Sequence, residues 1–492
     1  MGACATLEDR FRRAALIGEA AGILSWDRAV VMPEGSAAAR AEQMAALGLV
    51  GREILTAADM ADLLDAAGQE PLDDWQTANL REMRRDWVRA AAIPPRLIEA
   101  RARANAACEM AWRTARPASD YPAVLPLLED VVRLTVEAGQ AWSAAQDLPL
   151  YDALLDGFEP GGRSRDIEPV FDDLAAFLPG LIGAAIERQA TRPPRPIEGP
   201  FPVDRQEALG RRFMAALGFD FDKGRLDVSH HPFTGGATDD IRITTRYDEA
   251  DFLTGLYAVL HETGHARYAS GLPQRWRRMP IGRARGMTLH ESQSLLIEMQ
   301  ACRGGAFLAW AAPLMAETFG GEGPAWSADN LLALVTRVER GYIRVDADEV
   351  TYPAHVILRY RLEQAILAGD LPLADLPGAW NDGMAALLGI RPPDDRRGCL
   401  QDIHWYSGAW GYFPTYTLGA MAAAQLYAAA KAADATIEPA LAEGDFAPLY
   451  AWLGPNVHEQ GSRYGTGELL ERATGRPLDA AAFKAHLKAR YL

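Results

Sequence analysis

The chain has 492 residues, 49% of them hydrophobic and 24% charged, the balance of a folded protein with a large core rather than of a disordered or fibrous one. With 50 Lys and Arg against 66 Asp and Glu, the formal charge is −16. That charge argues against nonspecific attraction to nucleic acid or to an anionic membrane. Four cysteines, Cys4, Cys108, Cys302 and Cys399, stand far apart without CxxC spacing, which predicts neither a disulfide framework nor a cysteine metal site. Glu8 and Asp9 precede any long apolar run, and no stretch of about 18 uninterrupted apolar residues follows, so a cytoplasmic protein is expected.

Along the chain, Ala, Leu, Glu and Arg recur with apolar residues spaced by three and four, which predicts helices over 36–55, 76–113, 121–145, 164–190, 205–217, 328–342, 353–367 and 417–433. Pro and Gly between Arg192 and Pro202 interrupt this pattern. The expected organisation is one domain over 1–492, with an N-terminal helical half, 1–200, and a second half, 201–492. Asp240 to Arg246 alternates polar and apolar residues and is β-branched, as a half-buried strand requires. Thr234-Gly235-Gly236 before it predicts a turn. Such a strand offers an edge on which a peptide backbone can add.

Asp248 to about Leu272 reads as one helix with Asp248, Glu249 and Asp251 in its first turn. It carries His261-Glu262-Thr263-Gly264-His265. On a helix the two imidazoles lie one turn apart on one face and can reach a single ion, with Glu262 beside them as a base toward a water. Zinc suits two nitrogens and a carboxylate with one position left open. The five-residue pattern is only moderately specific by itself. A metzincin extension would need Gly and His where this chain has Tyr268 and Gly271, so the third ligand is sought on a following helix. Glu291, in His290-Glu291-Ser292-Gln293-Ser294, is the first choice. Glu298, about two turns further on, is its competitor, and His290 points about 100° away and is expected to make a supporting hydrogen bond.

Six segments occur in order: His231-Pro232-Phe233, Asp240-Ile241-Arg242-Ile243-Thr244, His261 to His265, His290 to Gln293, Ile343 to Asp348, and Gly398-Cys399-Leu400-Gln401-Asp402-Ile403-His404-Trp405. Together they resemble the motif set HPF, DxRxT, HExxH, HES[GQ], [IV]RxxAD and GxxQDxHW of the carboxypeptidase Taq family of metallocarboxypeptidases. The resemblance extends to Ser25-Trp26-Asp27, Met32-Pro33 and Gly411 to Tyr416. The chain departs from the family at Thr263, where Gly is usual, and at His230, where Ala is common; neither change removes a ligand.

The resemblance implies a mainly α, zincin-type helical body with a deep groove, a small β-sheet beside the metal helix, and a homodimer. It implies removal of C-terminal residues one at a time with broad side-chain tolerance and poor handling of Pro, using zinc or cobalt. His261, His265 and Glu291 take the ligand positions and Glu262 that of the general base. For the oxyanion of peptide hydrolysis, His404 and Tyr412 are candidate donors, although the aromatic run Trp405 to Phe413 equally suits packing. Arg344 is the candidate cation for a substrate's terminal carboxylate, with Asp346 and Asp348 to orient it; a structural ion pair is the alternative. Arg242 supports the strand and His231 stands near the pocket for the released residue. An oligopeptidase or dipeptidyl carboxypeptidase with the same chemistry, or a noncatalytic peptide-binding protein, remain the rivals.

Overall fold

The computed structural model describes residues 2–492, and helices make up most of them. Several expected helices appear within a few residues of their predicted limits: Ala37–Leu55, Tyr121–Gln146, Ser164–Ala190, Val203–Ala216, Tyr352–Ala368 and Pro414–Ala433. Two do not run as far as their composition suggests. The helix expected over 76–113 is two, Asp74–Ala92 and Pro95–Ala118, because Ile93 is extended before Pro94, which can neither donate to the ladder nor let its predecessor stay helical. The orphaned end is satisfied from elsewhere: the Arg52 guanidinium donates to Ala90 O and Ile93 O, 2.7 Å each. The helix expected over 328–342 stops at Val335, whose carbonyl accepts from Arg303 Nη1 at 2.6 Å.

A three-stranded sheet, β1 (Gly224–Val228), β2 (Phe233–Ala237) and β3 (Asp240–Thr245), has the order β1-β3-β2, with β3 parallel to β1 and antiparallel to β2. Thr234-Gly235-Gly236 is therefore not a turn but the middle of β2, with Thr234 opposite Ile243. Two glycines lowered its apparent strand character. The reversal comes later, at Thr238-Asp239, where Asp239 takes φ 63°, a conformation Asp tolerates better than most residues.

Two large apolar cores hold the helices. One joins Cys108 to Ala185 with Val338 to Tyr491; the other runs from Phe201 to Leu470 beneath the sheet-side helices. The Pro-rich stretch after Thr191 forms neither helix nor strand. The first core nevertheless packs helices from both sides of that stretch together.

Candidate metal centre

The metal helix spans Phe252–Gly271. Asp251 ends the preceding loop as its cap, accepting from Leu253 N at 3.0 Å and Thr254 N at 3.4 Å, so the acidic residues stand before the helix rather than in its first turn. The ligand helix, Met287–Leu295, lies against it with backbones nearly touching at Gly264: a Cβ there would meet Gln293 O and Ser294 Cα at 2.7 Å each. That approach brings Glu291 to the histidine pair. His261 Nε2 is 4.0 Å from Glu291 Oε1 and His265 Nε2 is 3.6 Å from Glu291 Oε2. The ligand atoms of the three residues lie within 4.8 Å of one another. Nitrogen and oxygen ligands of a tetrahedral zinc stand roughly 3.4 Å apart, so this donor set fits such an ion after sub-ångström to ångström adjustment.

Glu298 is close but is placed for another task. It lies in a π-helical turn, Leu296–Cys302, that widens the end of the ligand helix. From there it accepts the His261 Nδ1 proton at 2.9 Å and a hydrogen from Arg303 Nη2 at 2.8 Å. With Nδ1 engaged by a carboxylate, Nε2 is the nitrogen that faces Glu291 and would serve a metal ion as ligand. Burial works against an imidazolium at His261, but the Glu298 hydrogen bond and the facing Glu291 and Glu262 carboxylates outweigh it, raising His261 to about 10. Burial also raises Glu291 and Glu262, whereas Arg303 and His261 hold Glu298 below its ordinary value. The neighbouring imidazole of His265 is driven well below its usual range by burial and by His290 and His261. Three carboxylates thus converge on His261, with Arg303 pairing only Glu298, and that local excess of negative charge suits a divalent cation.

Glu262 is buried, at 7% exposure, next to His261. Thr234 of β2 reaches it: Oγ1 is 2.6 Å from Glu262 Oε2 and 2.9 Å from its carbonyl oxygen. A cleft of about 780 Å³ opens over this corner, lined by His261, Glu262, Glu291, Met299, Val345 and Tyr352 among others.

Arg344 is buried behind the cleft wall. Nε and Nη2 donate to Asp402 Oδ1 at 3.0 and 2.7 Å, and Nη1 donates to Tyr352 Oη at 2.6 Å. Arg359 holds the other oxygen of Asp402, with Nε 2.6 Å from Oδ2, and the two cations keep that carboxyl far below the usual range even against burial. Asp346 and Asp348 do not orient Arg344 as their spacing suggested. Asp346 is exposed, and Asp348 accepts from the backbone N–H groups of Glu339, Val350 and Thr351. Adjacent carboxylates lost to Asp402 because the chain turns at 344–346 and points Arg344 inward, toward Gln401-Asp402.

The remaining candidates fall into two groups. His404 and Tyr412 lie together, ring centroids 5.7 Å apart, and Tyr416 joins them, its hydroxyl 3.3 Å from His404 Nε2. Burial lowers His404 to about 4, so it stands neutral at pH 7. Tyr412 and Tyr416 both feel the Glu291 carboxylate, which ties this cluster to the metal side. His231 and Arg242 do not line the cleft. His231 is exposed with its ring against His230, and Arg242 pairs with Asp240 at 2.7 Å and lies over the Trp26 indole at 4.1 Å. The His290 ring lies against His265, centroids 4.2 Å apart and planes tilted by 31°, and the backbone of His290, rather than its ring, supports that imidazole. Thr234, Tyr352, Asp402 and Tyr416 had no role in the sequence reading. Asp402 and Tyr416 had a visible signal, their places in the Gly398 to Trp405 motif and in the Gly411 to Tyr416 segment.

The sequence model of the carboxypeptidase Taq (M32) metallopeptidases matches residues 6–491. The chain is 37% identical over 493 residues to thermostable carboxypeptidase 1 of Thermus thermophilus, covering 98% of this chain and 96% of that protein. It is 32% identical over 488 residues to carboxypeptidase 1 of Bacillus subtilis, covering 98% and 97%. Among solved structures it is similar to Trypanosoma cruzi metallocarboxypeptidase 1, with TM-score 0.97, 37% identity and 99% of each chain covered. It is also similar to Pyrococcus furiosus carboxypeptidase, with TM-score 0.95, 33% identity and 100% and 99% covered. By its sequence and its fold, this chain belongs to the carboxypeptidase Taq (M32) family of metallopeptidases.

Proposed function

We propose that the chain is a zinc-dependent carboxypeptidase that removes single residues, with broad side-chain tolerance, from peptides bearing a free C-terminal carboxylate. The carrying observation is the convergence of His261, His265 and Glu291 ligand atoms within 4.8 Å, with Glu262 alongside them on the same helix. Bound at those three residues, zinc supplies Lewis acidity toward the scissile carbonyl and toward water. Glu262 accepts a proton from the attacking water at its carboxylate and returns it to the departing amine nitrogen. Its burial raises the carboxyl's proton affinity, which suits a group that must both take and give. Glu298 fixes the His261 tautomer, and Arg303 keeps Glu298 ionised.

Arg344 is the anchor for the terminal carboxylate. A guanidinium has five N–H hydrogens; Asp402 and Tyr352 engage three, which leaves one on each terminal nitrogen for a bidentate partner. Tyr352, which lines the cleft, links this anchor to the metal corner. His404, Tyr412 and Tyr416 supply O–H and N–H donors on the side of Glu291 for the oxyanion. Wild-type protein should trim free-acid peptides one residue at a time, and C-terminal amides should be much poorer substrates, read by mass spectrometry. Equal rates on acid and amide, or internal fragments, would leave a metallopeptidase but remove the carboxypeptidase reading.

A further inference from the structure

We infer that Thr234 is the positioning residue for the general base: its hydroxyl pins Oε2 of Glu262, so that Oε1 is the atom that carries the proton. This inference rests on Glu262 acting as the base, and goes beyond it by assigning separate tasks to the two carboxylate oxygens.

The geometry comes from two elements. Thr234 sits in β2, paired with Ile243 of β3, so its backbone is held by the sheet and its β-branched side chain has few rotamers to sample. Glu262 sits in the middle of the metal helix, Phe252–Gly271. The one side-chain hydrogen bond that Glu262 makes among the described residues is with Thr234, at 2.6 Å, a length typical of a hydroxyl on a charged oxygen. The same hydroxyl oxygen is 2.9 Å from the Glu262 carbonyl.

A hydroxyl has one hydrogen and two acceptor lone pairs, so these two contacts are alternatives for its proton. With Glu262 ionised, Thr234 donates to Oε2. Were Oε2 to take the catalytic proton instead, the threonine would have to turn its hydrogen to the Glu262 carbonyl and accept from the carboxyl. Keeping the proton on Oε1 avoids that rearrangement in each turnover. In the reaction, the water O–H bond breaks as its proton passes to Oε1, and the Oε1–H bond breaks as the proton passes to the amine nitrogen leaving the cleaved bond. Oε2 and Thr234 keep the same hydrogen bond throughout. Without the hydroxyl, the buried carboxylate loses its only protein donor among the described residues, so that neither oxygen is held toward the water.

The test compares Thr234→Val, which keeps the shape and β-branching and deletes the hydroxyl, with Thr234→Ser, which keeps the hydroxyl. Zinc content, circular dichroism and steady-state kinetics are measured on each, with Glu262→Gln alongside. Thr234→Val should bind zinc normally and lower kcat about 10- to 100-fold with KM nearly unchanged, the loss expected for one charge-assisted hydrogen bond. Thr234→Ser should recover most of that loss. If Thr234→Val does not fold, the Ser and Ala variants make the same comparison. A kcat unchanged by deleting the hydroxyl, or a Ser variant as poor as the Val variant, overturns the inference while Glu262→Gln remains inactive. An active Glu262→Gln enzyme defeats the base assignment itself.

Discussion

The metal corner and the Arg344 corner of the cleft are both buried and both charged, yet they are built on opposite electrostatic plans. At the metal corner, negative charge exceeds positive: Glu262, Glu291 and Glu298 surround His261, and against burial the Glu298 hydrogen bond and the neighbouring carboxylates raise the imidazole to about 10. At the Arg344 corner the account is already closed. Asp402 lies between Arg344 and Arg359, and Tyr352 and Gln401 satisfy further donors. The first arrangement carries more buried negative charge than the side chains around it neutralise; the second is compensated within itself. A buried group whose charge is left uncompensated marks where a ligand supplies the difference, while a compensated one marks what must stay still.

The comparison breaks most sharply at Glu262. Glu262→Gln should lower kcat about 10²- to 10⁴-fold, since the amide cannot accept the water's proton, while zinc stays bound because both imidazoles remain. Turnover near the wild-type rate with zinc bound would remove Glu262 from the chemistry. Next in size is Arg344→Ala, where loss of a bidentate contact in a desolvated pocket predicts about 30- to 1000-fold lower kcat/KM on free-acid peptides and little change on the already poor amides. An equal loss on acid and amide would make Arg344 a purely structural member of the Asp402 network.

Glu298 sharpens the metal side. If it orients His261 rather than binding zinc, Glu298→Ala should weaken zinc affinity about 10- to 100-fold, and Glu291→Ala should weaken it more, as competition with a chelator would show. The reverse order would exchange their roles. By helical spacing alone the two glutamates share a face, so spacing does not order them, and Glu291 ranks first because it opens the helix that follows the Gly- and Arg-rich connection. What separates them is the π-helical turn at Leu296–Cys302, which no local composition announces.

The same contrast explains what the sequence made legible. His261, Glu262 and His265 are set by 3.6-residue geometry within one helix, and most helices of the body follow from the spacing of apolar residues. The Arg344 corner depends on pairings such as Arg344 with Asp402, 58 residues apart in the chain, and no periodicity reports those. Thr234 was hidden for a different reason. Its two following glycines suggested a turn, whereas the sheet recruits all three residues into β2 through pairing with β3. Tertiary pairing outweighed local propensity there, as it does for many short strands.

The smallest effect on turnover is expected at Glu363, which lies behind the Arg344 corner and provides a pH-dependent link in stability. Its carboxyl is fully buried and accepts from Trp405 Nε1 at 2.8 Å, Tyr151 Oη at 2.9 Å and Gly411 N at 3.3 Å, so it ties both ends of the His404–Tyr412 loop to Tyr352–Ala368. Burial pushes it from 4.5 up to about 7 despite these donors. Below pH 4.5 the carboxyl is protonated in both folded and unfolded chains and favours neither. As pH rises from 4.5 to 7, the unfolded chain loses the proton first, so stability falls, by about 3 kcal/mol in all, and levels off above pH 7. Glu363→Gln resembles the protonated form: its amide accepts from Trp405 and donates to Tyr151, facing Gly411 N with the one contact it cannot make. Denaturant midpoints measured from pH 4.5 to 7 should therefore slope downward less in the variant than in the wild type, with kcat at pH 7 changed by no more than about threefold. The same slope in both proteins would mean that Glu363 is ionised throughout this range and that its three donors outweigh its burial.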